Sequence, residues 1–456
     1  MADFRTSASA PAAAPWAGAV AQPALTGIGA PDYDNVLACV RCGLCLAVCP
    51  TYSVDRLEVQ SPRGRVALIR AVEEGRLHLT SPGLRDHLYH CLDCRACQTI
   101  CPSGVRAGEL VLATRAQVEA AYRPSLAERV IRAFALRLVL TSAERLAFFA
   151  WFLRLYQALG LQSFVRRTGL LHRLPGGLKL LGTMEELLPR LPTRPLHAEL
   201  PEVVPAHGQR RFRVGFFLGC MMSVLLADTS RATVRVLAAN DCEVVTPPHQ
   251  WCCGAPHAEE GDVESLRRFA RHNVDLFSGC EVDYVVTDCA ACGAETKSYG
   301  QLLAGEPAYA AKAAAFSAKV RDISEFLAEV RLRRPEGRLA ARVTYHEPCH
   351  LCHAQGIRRQ PREVLKAIPG LEFVELNESD WCCGSAGVYN ITHAERAGQL
   401  LRRKLGNVEA TQADILATGN PGCLLQLKTG ARRAGLKTRV AHPVELLDEA
   451  YRAGAR

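Results

Sequence analysis

Nowhere does the chain reach the roughly 18 to 20 consecutive apolar residues that a spanning helix needs, so it is not expected to cross a membrane. Residues 1–30 are rich in Ala and Pro but have neither the basic start nor the apolar core of a secretory signal, and they read as a disordered tail. No Gly-x-Gly-x-x-Gly fingerprint follows a predicted strand, so the chain need not bind a flavin itself. Nor does a recognised nucleic-acid-binding motif accompany its net charge of +9, which makes nucleic acid the weakest choice of partner. Acidic residues are scarce in one place: residues 121–181 hold ten Lys and Arg against Glu128 and Glu144 alone, a local charge of +8.

Cysteine, by contrast, is plentiful. Twenty cysteines in 456 residues fall into ligand-like spacings, and a chain of this size does not need disulfide staples, so a reducing cytoplasm is the expected compartment. Two runs share one pattern, Cys39-x2-Cys42-x2-Cys45-x3-Cys49-Pro50 and Cys91-x2-Cys94-x2-Cys97-x3-Cys101-Pro102. Three thiolates three residues apart wrap one iron-sulfur cubane, while the fourth, before the proline, reaches the neighbouring cluster. One 4Fe-4S cluster is therefore expected on Cys39, Cys42, Cys45 and Cys101, and a second on Cys91, Cys94, Cys97 and Cys49. Zinc is the alternative, but its structural sites usually use two separated Cys pairs rather than a triplet plus Cys-Pro. Arg41, Arg63, Arg65 and Arg95 lie in or beside these loops, where positive charge raises a cluster's potential; Arg95 reads more readily as a solvated loop charge than the Arg63, Arg65 pair does.

From about residue 211 the chain repeats with a period near 130 residues. Arg213–Cys220 answers Arg342–Cys349, and Trp251-Cys252-Cys253-Gly254 answers Trp381-Cys382-Cys383-Gly384. Asp283–Cys289 answers Asp414–Cys423. Short apolar runs at 214–218, 243–246 and 283–287, then 342–345, 373–376 and 414–417, alternate with amphipathic stretches such as 227–239 and 261–277, which predicts parallel strands joined by helices. Each cysteine group follows a run, and the carboxyl ends of parallel strands form the ligand crevice of such sheets. The first unit brings five thiols, Cys220, Cys252, Cys253, Cys289 and Cys292, toward a third cluster. One of two vicinal cysteines can bridge irons in an opened cluster.

The second unit offers Cys349, Cys382, Cys383 and Cys423 toward a fourth cluster, with Gln426 standing where a fifth cysteine is expected and Cys352 as a possible substitute. Whether these units carry cubane clusters, non-cubane clusters or none stays open at this point. His346, His350 and His353 either tune the second site, shuttle a proton or are plain surface residues; the isolated Cys242 and Cys280 read as structural. The basic segment 121–181 includes the apolar octet Leu146–Leu153, with Phe134, Trp151, Tyr156 and Phe164 as aromatic anchors. It suits peripheral membrane or subunit docking, and equally a helix pair bridging the chain's own domains.

These motifs, with Ser61–Arg65, Cys101–Val105, His346–Gln355 and Cys382–Gly387, resemble the iron-sulfur subunit of glycolate oxidase over roughly residues 30–450. The Cys-Cys-Gly units also resemble subunits of heterodisulfide reductase and anaerobic glycerol-3-phosphate dehydrogenase. The resemblance implies an α/β chain with an α-helical N-terminal part: a ferredoxin-type domain at 31–120, a basic helical linker at 121–210, and two repeated Cys-Cys-Gly domains with parallel sheets at 211–330 and 331–456. It implies an electron-transfer subunit of an oxidoreductase complex. FAD would be bound only in partner subunits that oxidise glycolate to glyoxylate, with electrons passing through this chain toward quinone at the cytoplasmic face of the inner membrane. No residue of the chain is expected to be catalytic. A heterodisulfide or thiol reductase subunit, an iron-sulfur subunit of another 2-hydroxy acid or glycerol-3-phosphate dehydrogenase, and a scaffold with structural clusters are the rival readings.

Overall fold

The computed structural model describes residues 25–26, 29–175, 179–194 and 196–454; most of the tail expected over 1–30 lies outside them. The N-terminal part is helical. Helices Pro62–Glu73, Pro82–Tyr89 and Ala107–Ala121 pack around Val66, Ile69, Leu84, Leu88, Leu110 and Val111. Prolines open Pro50–Asp55, Pro62–Glu73 and Pro82–Tyr89, where a missing N–H costs nothing. Ser61 caps its helix by accepting from the Gly64 N–H at 2.9 Å. A Cβ at Gly64 would collide with the Glu58 carbonyl, so this turn closes only on glycine.

Two sheets follow. The first is built of β1 (Val203–Val204), β2 (Phe212–Phe216), β3 (Cys242–Val245), β4 (Tyr284–Thr287) and β5 (Val320–Asp322) in the order β1-β3-β2-β4-β5, parallel except for β1. The second has β6 (Ala341–Tyr345), β7 (Leu371–Val374), β8 (Ile415–Ala417) and β9 (Arg439–Ala441) in the order β7-β6-β8-β9, all parallel. Apart from β1 the two topologies are the same, as a duplicated unit requires. The fold is α/β with a helical N-terminal region, as expected from the sequence. The apolar runs mark β2, β3, β4, β6, β7 and β8 within about two residues, whereas β5 and β9 have three residues each with an Arg among them and leave no run to read.

The two units share one core. Helix Ala227–Ala239 of the first packs on Pro443–Gly454 of the second, and Ile323–Glu329 of the first packs on Arg359–Lys366 of the second. The second helix of each unit thus meets the closing helix of the other, a pseudo-two-fold exchange that buries Val236, Leu237, Phe326, Leu327, Leu365 and Leu447 together. Near that pseudo-axis, the Ala290 N–H donates to the Gly419 carbonyl at 3.1 Å and His442 Nε2 donates to the Asp288 carbonyl at 3.1 Å.

The basic segment is partly a bridge. His257 Nε2 donates to the Leu136 carbonyl at 2.8 Å, Arg137 pairs with Asp262 at 3.3 Å, and Arg132 pairs with Glu119 and Glu260. Helix Ala143–Ala158 turns its small residues Ala143, Ala147 and Ala150 inward, and leaves Phe148, Trp151 and Phe152 more than half exposed. Among the described residues no helix is long and apolar enough to cross a membrane.

Candidate iron-sulfur sites

The two N-terminal cysteine runs have matching backbones. Arg41 and Gly43 flank Cys42 with φ of 57° and 88°, and Asp93 and Arg95 flank Cys94 with φ of 45° and 58°. These left-handed positions curl each loop so that its thiols face inward. One hollow is lined by Cys39, Cys42, Cys45 and Cys101. A second is lined by Cys49, Cys91, Cys94 and Cys97, together with Arg65 and Arg95. Each hollow thus includes the Cys-Pro thiol of the other run, and the first also touches Cys97. All these cysteines are free. Burial pushes the Cys94 and Cys97 thiols up, and crowding by other thiols adds to it, Cys382 and Cys349 at Cys94, Cys91 and Cys49 at Cys97. Four converging thiolates need a positive core in so dry a place, and iron in a cluster supplies it; the donor sets fit the group.

The arginines differ from the sequence expectation. Arg65 is 1% exposed and donates to the His87 carbonyl at 2.8 Å, Gln60 Oε1 at 2.8 Å and Thr51 Oγ1 at 3.2 Å. Arg63 pairs with Glu58 nearer the surface, at 2.6 Å. Arg95 is no solvated loop charge: its side chain is 20% exposed and pairs with Asp93 at 3.3 Å, and this ion pair forms because the αL turn at Arg95 folds it back over its own loop.

In the first unit Cys220 Sγ lies 3.7 Å from Cys252 Sγ, and Cys253 contacts Cys252 and Cys292, whose thiols donate to it and bring it down to about 7. Cys289 caps helix Ala290–Leu302, its sulfur accepting from the Cys292 N–H at 3.3 Å. The Cys-Cys-Gly motif has a backbone reason. Gly254 (φ 90°) and Gly384 (φ 86°) each turn their N–H onto the sulfur two residues back, Cys252 and Cys382, at 3.4 Å. A left-handed conformation and a close neighbour at the Cβ position, Leu266 and Ala397 respectively, keep both places glycine.

The second unit repeats these contacts: Cys349 meets Cys382, and Cys383 Sγ lies 3.4 Å from Cys423 Sγ. This corrects the register read from the sequence. Cys423 is the third residue of helix Pro421–Arg433, as Cys292 is of Ala290–Leu302, so Cys423 answers Cys292 and the missing thiol is at the cap, Asn420, not at Gln426. Matching the first cysteine after each strand misled, because Asn420 has no sulfur to mark its place. Cys352 is buried, its thiol donating to the Cys349 carbonyl at 3.9 Å with Cys349, Glu347 and Arg358 as its charged neighbours. Cys242 and Cys280 stand apart, bonded to the Asn240 and Leu276 carbonyls.

None of the three histidines is a surface residue: His346 is buried, and His350 and His353 are half-buried. His346 is 1% exposed, with one of its ring nitrogens, Cys383 Sγ and Cys423 Sγ all within 4.8 Å of one another. His350 lies between the second unit and the N-terminal part, Nδ1 3.6 Å from Cys349 Sγ and Nε2 3.4 Å from Asp93 Oδ2. Burial opposes its charge, but Cys349 and Asp93 outweigh it and raise its pKa well above the usual value. His353 packs beside Arg358. Lys404, also buried, donates to the Ser379 carbonyl at 3.2 Å and is brought down to about 8 by burial, which the neighbouring Cys383 and Cys382 oppose. Histidines spaced within one short loop gave no sequence signal of burial, because what covers them comes from another part of the chain.

Residues 35–105 match the family model of a 4Fe-4S dicluster domain, and residues 214–296 and 343–428 each match that of a cysteine-rich domain. Residues 127–188 match the linker region of the glycolate oxidase iron-sulfur subunit. The chain is 39% identical to the probable glycolate oxidase iron-sulfur subunit of Bacillus subtilis over 92% of its own length and 95% of that protein. It is 32% identical to the glycolate oxidase iron-sulfur subunit of Escherichia coli, with the same coverage. The chain belongs to the glycolate oxidase iron-sulfur subunit family. Half of it is also similar to other proteins: 52% of its length is 36% identical to a subunit of the fumarate reductase (CoM/CoB) of Methanothermobacter marburgensis, of which it covers 46%. In this member of the glycolate oxidase iron-sulfur subunit family, then, the two N-terminal hollows fall within a 4Fe-4S dicluster domain and the two Cys-Cys-Gly sites within cysteine-rich domains.

Proposed function

We propose that the chain is the electron-transfer subunit of a glycolate oxidase complex. Glycolate gives up two electrons and two protons at FAD in partner subunits, becoming glyoxylate; the electrons leave singly through this chain and reduce quinone to quinol at the cytoplasmic face of the inner membrane. Iron-sulfur clusters supply the one-electron redox chemistry when bound. Cys39, Cys42, Cys45 and Cys101 would hold one 4Fe-4S cluster, and Cys91, Cys94, Cys97 and Cys49 the other. Cys220, Cys252, Cys253, Cys289 and Cys292 would hold a third centre, and Cys349, Cys382, Cys383 and Cys423 a fourth.

The observation that carries this reading is the continuity of the thiol sets. Cys97 also lines the first hollow, Cys94 neighbours Cys382 and Cys349, and Asn420 reaches both Cys423 Sγ, at 3.8 Å, and Cys289 Sγ, at 4.0 Å. A scaffold with structural clusters has no need to order its thiols in a row. The protein's own part is to seat each set, to keep water from the buried ones, and to set potentials through Arg65 and the Arg95, Asp93 pair. The exposed aromatic face of helix Ala143–Ala158 supports docking to the partner subunits or the membrane surface, because a helix that turns alanines inward and aromatics outward is built for a second surface.

Anaerobic purification from the native source tests the reading. Co-purifying flavoproteins with glycolate-dependent quinone reduction, and more iron than the roughly eight atoms of two cubanes, are the expected result. A fully active complex with only that iron would leave the repeated units without clusters.

A further inference from the structure

The two cysteine-rich units differ at two equivalent positions, and the differences are complementary. Phe217 and His346 each extend the central strand of their unit: the Phe217 N–H donates to the Val286 carbonyl at 2.8 Å, and the His346 N–H donates to the Ala417 carbonyl at 2.9 Å. The strand pairing agrees, Phe216 with Val286 and Tyr345 with Ala417. His346 is therefore the counterpart of Phe217, as Asn420 is of Cys289. Where the first unit has an inert phenyl ring and a thiol, the second has an imidazole and an amide.

The imidazole is set up as a donor. His346 Nδ1 is 3.1 Å from the Ser379 carbonyl oxygen, which can only accept, so Nδ1 carries the ring proton and Nε2 keeps its lone pair. A ring nitrogen of His346 lies with the sulfurs of Cys383 and Cys423 within 4.8 Å of one another, and with Nδ1 committed to the carbonyl, Nε2, buried without a hydrogen-bond partner among the described residues, is the nitrogen left free to bind. Metal-binding histidines are held in this way, with the second ring nitrogen donating to a carbonyl.

We propose that His346 Nε2 is a ligand of the second unit's metal centre, completing with Cys349, Cys382, Cys383 and Cys423 a set of four thiolates and one imidazole where the first unit offers five thiolates. A neutral imidazole in place of an anionic thiolate makes this centre less negative, and raises its potential above that of the first unit. The proposal rests on the reading that the second unit holds an iron-sulfur centre.

The test is pulsed electron paramagnetic resonance of anaerobically prepared full-length protein labelled with 15N-histidine, together with its iron content. A strongly coupled histidine nitrogen is expected in the parent, retained in His350→Gln and lost in His346→Phe, which also loses the iron of one centre. The double variant His346→Phe with Asn420→Cys, which rebuilds the thiol set of the first unit, should regain the iron without the coupled nitrogen. A parent without a coupled histidine nitrogen, or one whose signal disappears in His350→Gln, overturns the proposal whether or not the His346 variants fold. Cys383→Ser separates this failure from failure of the underlying reading: if it leaves the iron unchanged, the second unit holds no centre at all.

Discussion

Cys289 and Asn420 occupy the same helix-capping place in the two units and meet across the pseudo-two-fold axis, Cys289 Sγ lying 4.0 Å from Asn420 Oδ1. Asn420 Oδ1 also accepts from the Ala291 N–H at 3.2 Å, so one side chain of the second unit closes the helix start of the first. The duplication has thus been put to use: the place that holds a thiol in one copy ties the two thiol sets together in the other.

Exchange of the fourth cysteine between the N-terminal runs gives a directional test. Cys49→Ser should remove the cluster signal that Cys91→Ser removes, and Cys101→Ser the one that Cys39→Ser removes, as followed by Mössbauer and electron paramagnetic resonance spectra. Cys49→Ser behaving like Cys39→Ser would refute the crossed sets.

Arg65 brings a buried positive charge to the hollow of Cys49, Cys91, Cys94 and Cys97. Arg65→Met should lower the potential of the cluster there, because the reduced form loses a compensating charge, and should cost about 2 kcal/mol of stability through acceptors left without a donor. Arg65→Lys should keep most of the potential. A redox titration in which the methionine variant titrates with the parent would remove Arg65 from potential setting.

For docking, aromatic residues make a better target than arginines, since Arg132 and Arg137 are engaged in ion pairs with Glu119, Glu260 and Asp262. Trp151→Glu with Phe152→Glu should leave cluster spectra intact and weaken recovery with partners or membranes by about tenfold or more, each buried aromatic being worth about 1.5–3 kcal/mol. Unchanged fractionation would make the segment only an internal bridge.

Asp322 caps helix Ile323–Glu329 from a buried position, and burial pushes its carboxyl up to about 7. Because the folded value lies above the unfolded one, the contribution to stability is full below about pH 4 and lost as pH rises through about 7. Asp322→Asn keeps the capping oxygen and removes the titration. It should flatten the pH dependence of the anaerobic melting temperature and gain on the order of 2 kcal/mol at pH 8. Equal slopes for parent and variant would count against it.

Much of this was legible in the sequence because cluster loops and strand ends are local. The Cys-Pro terminated runs specify their own curled backbone, and six strands carry continuous apolar residues. What escaped was set by contacts between distant segments. β5 and β9 exist because β4 and β8 offer an edge, not because Val320–Asp322 or Arg439–Ala441 is apolar. The register of Cys423 depends on where its helix starts, and the burial of His346 on the loop at Ser379. The pairing of Ala227–Ala239 with Pro443–Gly454 joins segments some two hundred residues apart, and neither helix announces its partner.

Reduction of this chain by glycolate, followed by freeze-quench electron paramagnetic resonance in the presence and absence of the flavoprotein partners, tests the central claim most directly. Cluster signals should change on adding glycolate only when the partners are present, and should return when quinone is added. Glycolate turnover with quinone reduction that leaves every cluster of this chain in its starting oxidation state, at all times sampled, would contradict the electron-transfer role.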